Sequence, residues 1–369
     1  SLADRAARIY APVVHLLALI AFAGWLTATG DARLSLNIAV AVLIITCPCA
    51  LGLAVPAVST AASGRLYRHG LLVKNATALE RLAEVDHVVF DKTGTLTEGR
   101  PVLLDHGADD RAAVIAKTLA AGSGHPLARA LEDGLPMPGA EVRGIREVPG
   151  KGVEGVWQDQ RVRLGRADWV GVDAQAGLET WLSIEGQPPV VFRFHDRLRR
   201  GAAEAVRDLR GAGCTVELLS GDVPAAVEEL AQRLGMTEWR AGVRPEDKLA
   251  RLRNLADDGR KVLMVGDGLN DTAALAAAHA SVSPASALDA SRTVSDVVLL
   301  GGDLSGIGEA VTTSRKATRR ILENFGIAAL YNTIAVPLAL AGLATPLAAA
   351  LAMSTSSILV TPVSYTHLR

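Results

Sequence analysis

The sequence has few cysteines and almost no net charge. It contains three cysteines in 369 residues, and their spacing gives no disulfide framework. We expect one of them, Cys214, to be a core residue because it lies beside a predicted strand. The 38 basic residues nearly balance the 39 acidic ones, which leaves a formal net charge of −1. We find no basic stretch that would indicate binding to nucleic acid.

Hydrophobic residues, in contrast, are abundant and gather at the two ends of the chain. They make up 49% of the sequence, although its middle part is charged. Four apolar segments are each long enough to cross a bilayer, at about residues 10–28, 34–56, 325–342 and 345–363. A cleaved signal peptide is excluded, because the first two segments lie close together and basic residues follow the pair.

Basic clusters flank these apolar segments. Arg5 and Arg8 precede the first segment, and Arg65, Arg68 and Lys74 follow the second. The third segment is preceded by Arg315, Lys316, Arg319 and Arg320. Because basic residues stay on the cytoplasmic side of a membrane, we expect the charged middle of the chain in the cytoplasm. The links at 29–33 and 343–344 would face outward.

A short polar motif follows a predicted buried strand. The apolar run at 88–90 predicts a parallel strand, and Asp91 would stand at its carboxyl end, where open α/β sheets bind their ligands. Lys92 supplies a positive charge. Thr93, Gly94 and Thr95 form a flexible polar turn that could wrap a phosphoryl group.

Three further motifs suit the same chemistry. The strand predicted at 262–265 is followed by Asp267 and Asp271, whose carboxylates suit Mg²⁺. The strand predicted at 216–219 leads into Ser220-Gly221-Asp222, whose hydroxyl and backbone N–H groups could hold phosphate oxygens. Lys248 could neutralise a transferred phosphoryl group.

In this order, the four motifs resemble the haloacid dehalogenase-like phosphorylation domain of P-type ATPases. The string Asp-Lys-Thr-Gly-Thr-Leu-Thr at 91–97 resembles the phosphorylation signature of that family. The resemblance implies that ATP phosphorylates Asp91, and that Mg²⁺ is bound by the Asp91 carboxylate, the Thr93 carbonyl and Asp267. It assigns the rest of the phosphate site to Lys92, Thr93, Ser220, Gly221, Asp222, Lys248, Asn270 and Asp271.

Thr93 distinguishes this motif from that of related phosphatases. Those enzymes place an aspartate two residues after the nucleophile, where it serves as general acid and base. A threonine cannot do this, so we expect the acyl-phosphate to persist long enough to drive a conformational step. A membrane-tethered phosphatase of the same fold and a non-catalytic membrane fragment are the alternatives.

A Cys-Pro-Cys sequence interrupts the second apolar segment. Pro48 lacks an N–H and clashes with the carbonyl of Ile44, so the helix must open locally. This opening could bring the thiolates of Cys47 and Cys49 toward one cavity, where they would favour Cu(I), with Zn²⁺ also possible. The segment resembles the metal-binding helix of heavy-metal P-type ATPases.

Polar residues in the last two apolar segments bear on the choice of metal. Tyr331 and Asn332 lie in the third segment, and Met353 and Ser357 in the fourth. The set resembles the copper(I)-transporting subgroup, which implies transport of Cu⁺ or Ag⁺. Zinc or cadmium transport is the alternative, although the lysine and aspartate expected for it are missing from these segments.

Residues 101–189 resemble the nucleotide-binding insert of the same family. His125-Pro126 resembles its His-Pro element, and Gly150 and Gly152 its Gly-x-Gly turn, which implies that they bind ATP. The sequence departs from the family in two places. Ala120 stands where a glutamate is usual, and Arg166, which could contact phosphates, stands where an asparagine is usual.

The fold class expected from this resemblance is an α/β haloacid dehalogenase-like domain with an inserted α+β nucleotide-binding domain, joined to transmembrane helices. Residues 1–83 are expected to form two helices with the Cys-Pro-Cys and a cytoplasmic connection, and residues 310–369 two helices with a tail. Between them, the predicted phosphorylation domain has a first part at 84–100 and a second part at 190–309, separated by the insert at 101–189.

Two features of the family are missing from the sequence. It has no Thr-Gly-Glu actuator loop and no Cys-x-x-Cys metal-binding domain. We therefore expect a C-terminal portion of a pump in a bacterial inner membrane, whose partners are the lipid bilayer, the missing actuator half and a copper chaperone or upstream metal-binding domain. Residues 361–369 depart from the family pattern and suggest a non-native tail. Flanking residues resemble copper ATPases that supply respiratory oxidases.

Overall fold

The structure is a computed structural model that describes residues 2–47, 49–104, 106–136, 138–173, 177–267, 271–287 and 289–355. Side chains at 2–7, 9, 49–54 and 76 lie outside this description. The helices are α1 (Leu2–Thr29), α2 (Ala32–Ile45), α3 (Cys49–Arg68), α4 (Ala76–Glu84), α5 (Asp110–Ala120), α6 (Pro126–Gly134), α7 (Ala167–Val170), α8 (Ala202–Gly211), α9 (Pro224–Arg233), α10 (Pro245–Asp257), α11 (Thr272–Ala277), α12 (Asp289–Val294), α13 (Gly306–Leu340) and α14 (Pro346–Thr355). The strands are β1 (Leu71–Val73), β2 (His87–Asp91), β3 (Thr97–Leu103), β4 (Arg143–Val148), β5 (Gly152–Trp157), β6 (Gln160–Gly165), β7 (Leu178–Ile184), β8 (Val190–Leu198), β9 (Thr215–Leu219), β10 (Glu238–Arg240), β11 (Val262–Val265), β12 (Ala280–Pro284) and β13 (Val297–Leu299).

Seven strands form a sheet in the order β1-β13-β12-β11-β2-β9-β10. All neighbours in it are parallel except β1 and β13. The sheet is covered on both faces, which explains why β2 is buried throughout. Val88 and Phe90 pack into the core on one face and Val89 into the core on the other, as the alternation of strand side chains requires.

Six further strands form an antiparallel sheet in the order β3-β8-β7-β6-β5-β4. It has a separate core, in which side chains of α5 and α6 pack against the sheet. The predicted divisions at 100/101 and 189/190 therefore need correction. The first falls inside β3, and the second assigns β8 to the phosphorylation domain, whereas β8 pairs with β3 in this second sheet.

Helix α13 connects the seven-stranded sheet to the apolar helices. Ile307 and Val311 at its start lie in the core of that sheet, whereas Ala339 near its end packs against α1 and α2. Polar contacts of two side chains hold its first half. Glu309 pairs with Arg65 of α3 at 2.7 Å, and Arg315 donates to the carbonyls of Ala212 and Val85 at 2.5 and 2.6 Å.

Two helices in the described part of the chain are long and apolar enough to cross a membrane. They are Tyr10–Thr29 within α1 and the helix Gly306–Leu340. The first contains the predicted segment 10–28, and the second contains all but the last two residues of the predicted segment 325–342. The helices α2 and α14 are apolar but shorter. The fourth predicted segment, 345–363, is described only as far as residue 355.

The second predicted segment, 34–56, is divided between two helices. Helix α2 ends at Ile45, and α3 begins at Cys49. At the break, Cys47 N–H donates to the Ile44 carbonyl at 3.1 Å, a tighter turn than that of an α-helix. This local opening is the one expected from Pro48, which itself lies outside the described residues.

We expect Arg315→Met to destabilise the seven-stranded sheet. The change would remove the guanidinium donors from the carbonyls of Val85 and Ala212, leaving that of Val85 with only the weak Cys214 thiol donor at 3.6 Å, and an unmet acceptor costs about 1–3 kcal/mol. Thermal unfolding followed by tryptophan fluorescence in detergent should show a loss of about 2 kcal/mol or more. Arg319→Met is the matched control, because Arg319 is exposed and should change stability by less than about 0.5 kcal/mol. Equal stability of the two variants would contradict this assignment.

Candidate active site

Asp91 is the last residue of β2, between β9 and β11 at the carboxyl edge of the sheet. Its residue surface is only 7% exposed. Lys248, in the first turns of α10, donates from Nζ to Asp91 Oδ1 at 2.5 Å and to Asp271 Oδ1 at 2.8 Å. Carboxylate oxygens of Asp91, Asp267 and Asp271 all lie within 4.8 Å of one another. The end of β2, the loop between β11 and α11, and the first turn of α10 therefore meet where the sequence predicted a phosphate site.

The electrostatics of this cluster are dominated by burial. Burial and the neighbouring Asp271 carboxylate raise the pKa of Asp91 to about 6, against the opposing effect of Lys248. The pKa of Asp267 is raised by the same two causes. For Lys248, burial lowers the pKa, but Asp91 and Asp271 outweigh it and the pKa is raised. Three carboxylates beside one ammonium suit a divalent cation with a preference for oxygen, so the residues fit Mg²⁺.

The turn after Asp91 depends on a glycine. Gly94 has φ +71°, and a Cβ built on it would lie 1.6 Å from Asp267 Oδ2. Only a glycine allows the turn to approach this carboxylate so closely. Thr93 lies exposed on the turn, with non-helical φ/ψ. Arg199, which follows β8, holds the turn by donating to the carbonyls of Thr95 and Gly94 at 2.9 and 2.6 Å.

The other predicted residues of the phosphate site differ in how they relate to Asp91. Lys92 turns away from Asp91 and binds Asp222 at 2.5 Å, so it links the turn to the loop after β9. Ser220 is buried, and its hydroxyl accepts from the Asp222 N–H at 3.2 Å. Gly221 lies between them in that loop. Asn270 lies outside the described residues. Sequence reasoning missed Arg199, for which no local pattern gives a signal.

The antiparallel sheet and α6 enclose a cavity of about 320 Å³, a size typical of small-molecule sites. His125, Gly150, Gly152 and Arg166 are among its lining residues. Pro126 is the first residue of α6, and His125 Nδ1 accepts from the Leu127 N–H at 3.2 Å. Sequence reasoning did not single out three polar residues of this cavity: Glu147, Glu179 and Thr180.

The two glycines of this cavity have different roles. A Cβ on Gly152 would lie 2.2 Å from the Leu164 carbonyl, so the close approach of β5 to β6 excludes any other residue. Gly150 has φ +74° in the turn before β5.

Ala120, which stands where the family usually has a glutamate, lies at the end of α5 and is fully buried.

The described members of the predicted transport set lie among the apolar helices. Cys47 follows α2, whereas the side chain of Cys49 is outside the description. Tyr331 of α13 lines an apolar cavity together with Ile45, two residues before Cys47. Asn332 Nδ2 donates to the Tyr10 hydroxyl at 2.8 Å. Met353 lies on α14, and Ser357 is outside the described residues.

Comparisons with known proteins agree with this geometry. A profile of haloacid dehalogenase-like hydrolases matches residues 85–279. The nitrogen fixation protein FixI of Rhizobium meliloti is 45% identical over 364 residues, which cover 97% of this chain and 48% of that protein. A copper-transporting P-type ATPase of Rhizobium leguminosarum is 37% identical over 389 residues, covering 97% of this chain and 46% of that protein. The chain thus spans about half the length of the curated relatives it matches.

Solved structures give the same result. A zinc-transporting PIB-type ATPase in the E2.Pi state superposes with a TM-score of 0.87 and 29% identity, over 99% of this chain and 64% of that one. The catalytic domain of the CPx-ATPase CopB-B superposes with a TM-score of 0.58 and 30% identity, over 68% of this chain and 98% of that one. These matches confirm the resemblance and the fold class that the sequence predicted. The chain belongs to the haloacid dehalogenase-like hydrolase family, within its branch of metal P-type ATPases.

Proposed function

We propose that this chain is the phosphorylated and metal-carrying part of an ATP-driven pump that moves Cu(I) outward from the cytoplasm. The observation that carries the proposal is the buried ion pair of Lys248 with Asp91 and Asp271, at a sheet edge where Asp267 would complete a cation site. The same chain has a Cys-Pro-Cys sequence at the break between α2 and α3.

Phosphoryl transfer would use Asp91 as the nucleophile. A carboxylate oxygen of Asp91 attacks the γ-phosphorus of ATP, the bond to the β,γ-bridging oxygen breaks, and its electron pair leaves with ADP. The ammonium of Lys248 lies beside the attacking carboxylate and offsets charge on the transferred group. Mg²⁺ would be held by Asp91, Asp267 and the Thr93 carbonyl, and would neutralise phosphate oxygens.

ATP would bind in the cavity of the antiparallel sheet. Gly150, Gly152 and His125 line this cavity. The resemblance assigns them to ATP, and the lack of a side chain on Gly150 would let the backbone approach the nucleotide there. Arg166 lines this cavity as well. Its guanidinium pairs with Asp168 at 3.2 Å, and since both side chains are mostly exposed, it could exchange this partner for phosphate oxygens. This location supports the alternative in which Arg166 takes the place of the usual amide.

Copper is favoured as cargo by the chemistry of the side chains and by the relatives. Thiolates of Cys47 and Cys49 suit Cu(I) and Ag(I), and Met353 adds a soft thioether. The sequence relatives include proteins named as copper-transporting. Zinc is the second candidate, because a zinc-transporting ATPase is a close structural match at 29% identity.

The setting of this pump follows from the same proposal. The apolar helices would lie in a bacterial inner membrane, with both sheets on the cytoplasmic side. The actuator half of the pump, and a copper chaperone or upstream metal-binding domain, would be its partners.

We expect labelled ATP to form a hydroxylamine-sensitive acyl-phosphate that requires Cu(I). Asp91→Asn should reduce the label to background, because the nucleophile is lost. Cys47→Ser should weaken the response to Cu(I) about tenfold or more, the effect of losing about 1.4 kcal/mol of metal binding. Cys214→Ser is the matched control, because that cysteine is buried beside the seven-stranded sheet. A label that requires Zn²⁺ would overturn the cargo, and an Asp91-independent label would overturn the mechanism.

Substitution of Thr93 gives a separate test of the prediction that the acyl-phosphate on Asp91 is hydrolysed slowly. Thr93→Asp would place a carboxyl group two residues after Asp91, on an exposed turn that can accept it. We expect the acyl-phosphate to decay about tenfold faster or more, since a positioned general acid or base contributes about 10²–10⁴-fold. A chase with unlabelled ATP measures the decay. Thr93→Asn has the same shape without the acid, so equal decay in both variants would refute this role of Thr93.

A further inference from the structure

Glu217 is a buried carboxylate that the phosphorylation chemistry does not use. It lies in the middle of β9, is 1% exposed, and faces three basic side chains. His87 Nε2 lies 3.1 Å from Oε2, and Arg240 Nε donates to Oε1 at 3.0 Å. Arg251 binds both oxygens, with Nε at 3.1 Å from Oε1 and Nη2 at 3.0 Å from Oε2.

This network keeps Glu217 charged. Burial alone would raise its pKa, but the hydrogen bonds from His87 and Arg251 lower the pKa to about 2. A second acidic residue, Glu238 of β10, is exposed and has a carboxylate oxygen within 4.8 Å of ligand atoms of His87 and Glu217. Apolar residues of similar volume often stabilise a core as well as a buried ion network does. The network therefore calls for an explanation other than stability.

The partners of Glu217 belong to the segments that carry the active site. His87 begins β2, which ends at Asp91, and β9 itself leads directly to Ser220. Arg251 lies three residues after Lys248 on α10, so the two side chains project from the same face of the helix.

The first turns of α10 have little apolar anchoring of their own. The buried residues of this helix are Lys248, Leu252 and Leu255, and both leucines lie beyond Arg251. Two polar side-chain contacts help to hold the N-terminal end that carries Lys248: the ion pair of Lys248 itself, and the bidentate contact of Arg251 with Glu217. Just before the helix, the Val243 N–H also donates to the Ser220 carbonyl at 2.9 Å.

We propose that Glu217 is a positioning residue for phosphoryl transfer. By binding Arg251 through both carboxylate oxygens, it fixes α10 against β9 and keeps Lys248 Nζ between Asp91 and Asp271. The inference rests on the proposed function, in which Lys248 offsets charge on the phosphoryl group transferred to Asp91.

Two arginine variants of the full chain separate positioning from stability. Arg251→Gln and Arg240→Gln each remove one guanidinium from the same carboxylate, but only the first cuts the tie to α10. The first measurement is the rate at which a water-soluble acetylating reagent modifies the Lys248 amine, followed by mass spectrometry with exposed Lys316 as internal reference.

We expect Lys248 to be acetylated about tenfold faster in Arg251→Gln and Glu217→Gln, and less than about twofold faster in Arg240→Gln. Asp296→Asn controls for the general loss of a buried carboxylate, because Asp296 binds Arg81 and the Ser281 N–H away from α10. It should leave the rate unchanged. Equal rates in the two arginine variants, or an increase in Asp296→Asn as large as in Glu217→Gln, would overturn the proposal. If Glu217→Gln fails to fold, the arginine pair decides alone.

The second measurement is single-turnover phosphorylation from ATP. We expect the rate to fall about tenfold in Arg251→Gln with the KM for ATP unchanged, and to stay unchanged in Arg240→Gln. A rise in KM at constant rate would overturn the positioning role. If the wild-type chain forms no acyl-phosphate, the proposed function fails, whereas the acetylation rates still decide how Lys248 is held.

Discussion

The active site depends on balancing buried carboxylates. Carboxylate oxygens of Asp91, Asp267 and Asp271 lie within 4.8 Å of one another, and the Lys248 ammonium contacts Asp91 and Asp271. Isolated charges in such a place would be expelled or neutralised, so the ion pairs must form for the loops to meet at all. The same imbalance of charge makes the site receptive to a divalent cation. Stability of the loops and chemistry of the site therefore share one electrostatic origin.

Both connections between the two sheets pass beside this cluster. The turn after Asp91 leads into β3, and the chain returns from β8 to Arg199, which binds the carbonyls of that turn. Thr97 and Asp196, on β3 and β8, are joined by a hydrogen bond of 2.6 Å. The insert thus leaves and rejoins the seven-stranded sheet beside Asp91. This arrangement lets a sheet with its own core be inserted beside Asp91 without interrupting the packing of β2, and in the proposed function it would bring the nucleotide to Asp91.

Local patterns in the sequence predicted the central strands and the residues at their ends, because an apolar run and a polar turn are adjacent in the chain. Contacts between distant residues could not be predicted in this way. The pairing of Lys92 with Asp222 depends on the register of β2 and β9, and the role of Arg199 depends on how the insert returns. The predicted division at 189/190 assigned β8 to the wrong domain for the same reason, since only the pairing of β8 with β3 places it in the second sheet.

The choice of metal is separable from the fold. A zinc-transporting ATPase superposes on 99% of this chain with a TM-score of 0.87, although relatives of higher sequence identity include a copper-transporting pump. One backbone thus serves different ions, as expected when function resides in a few side chains grafted on a common fold. In the proposed function, phosphorylation at Asp91 would depend only on charge and geometry there. Selection between metals would then fall to the groups around the helix break at Cys47, where the softness of sulfur would distinguish Cu(I) from harder ions.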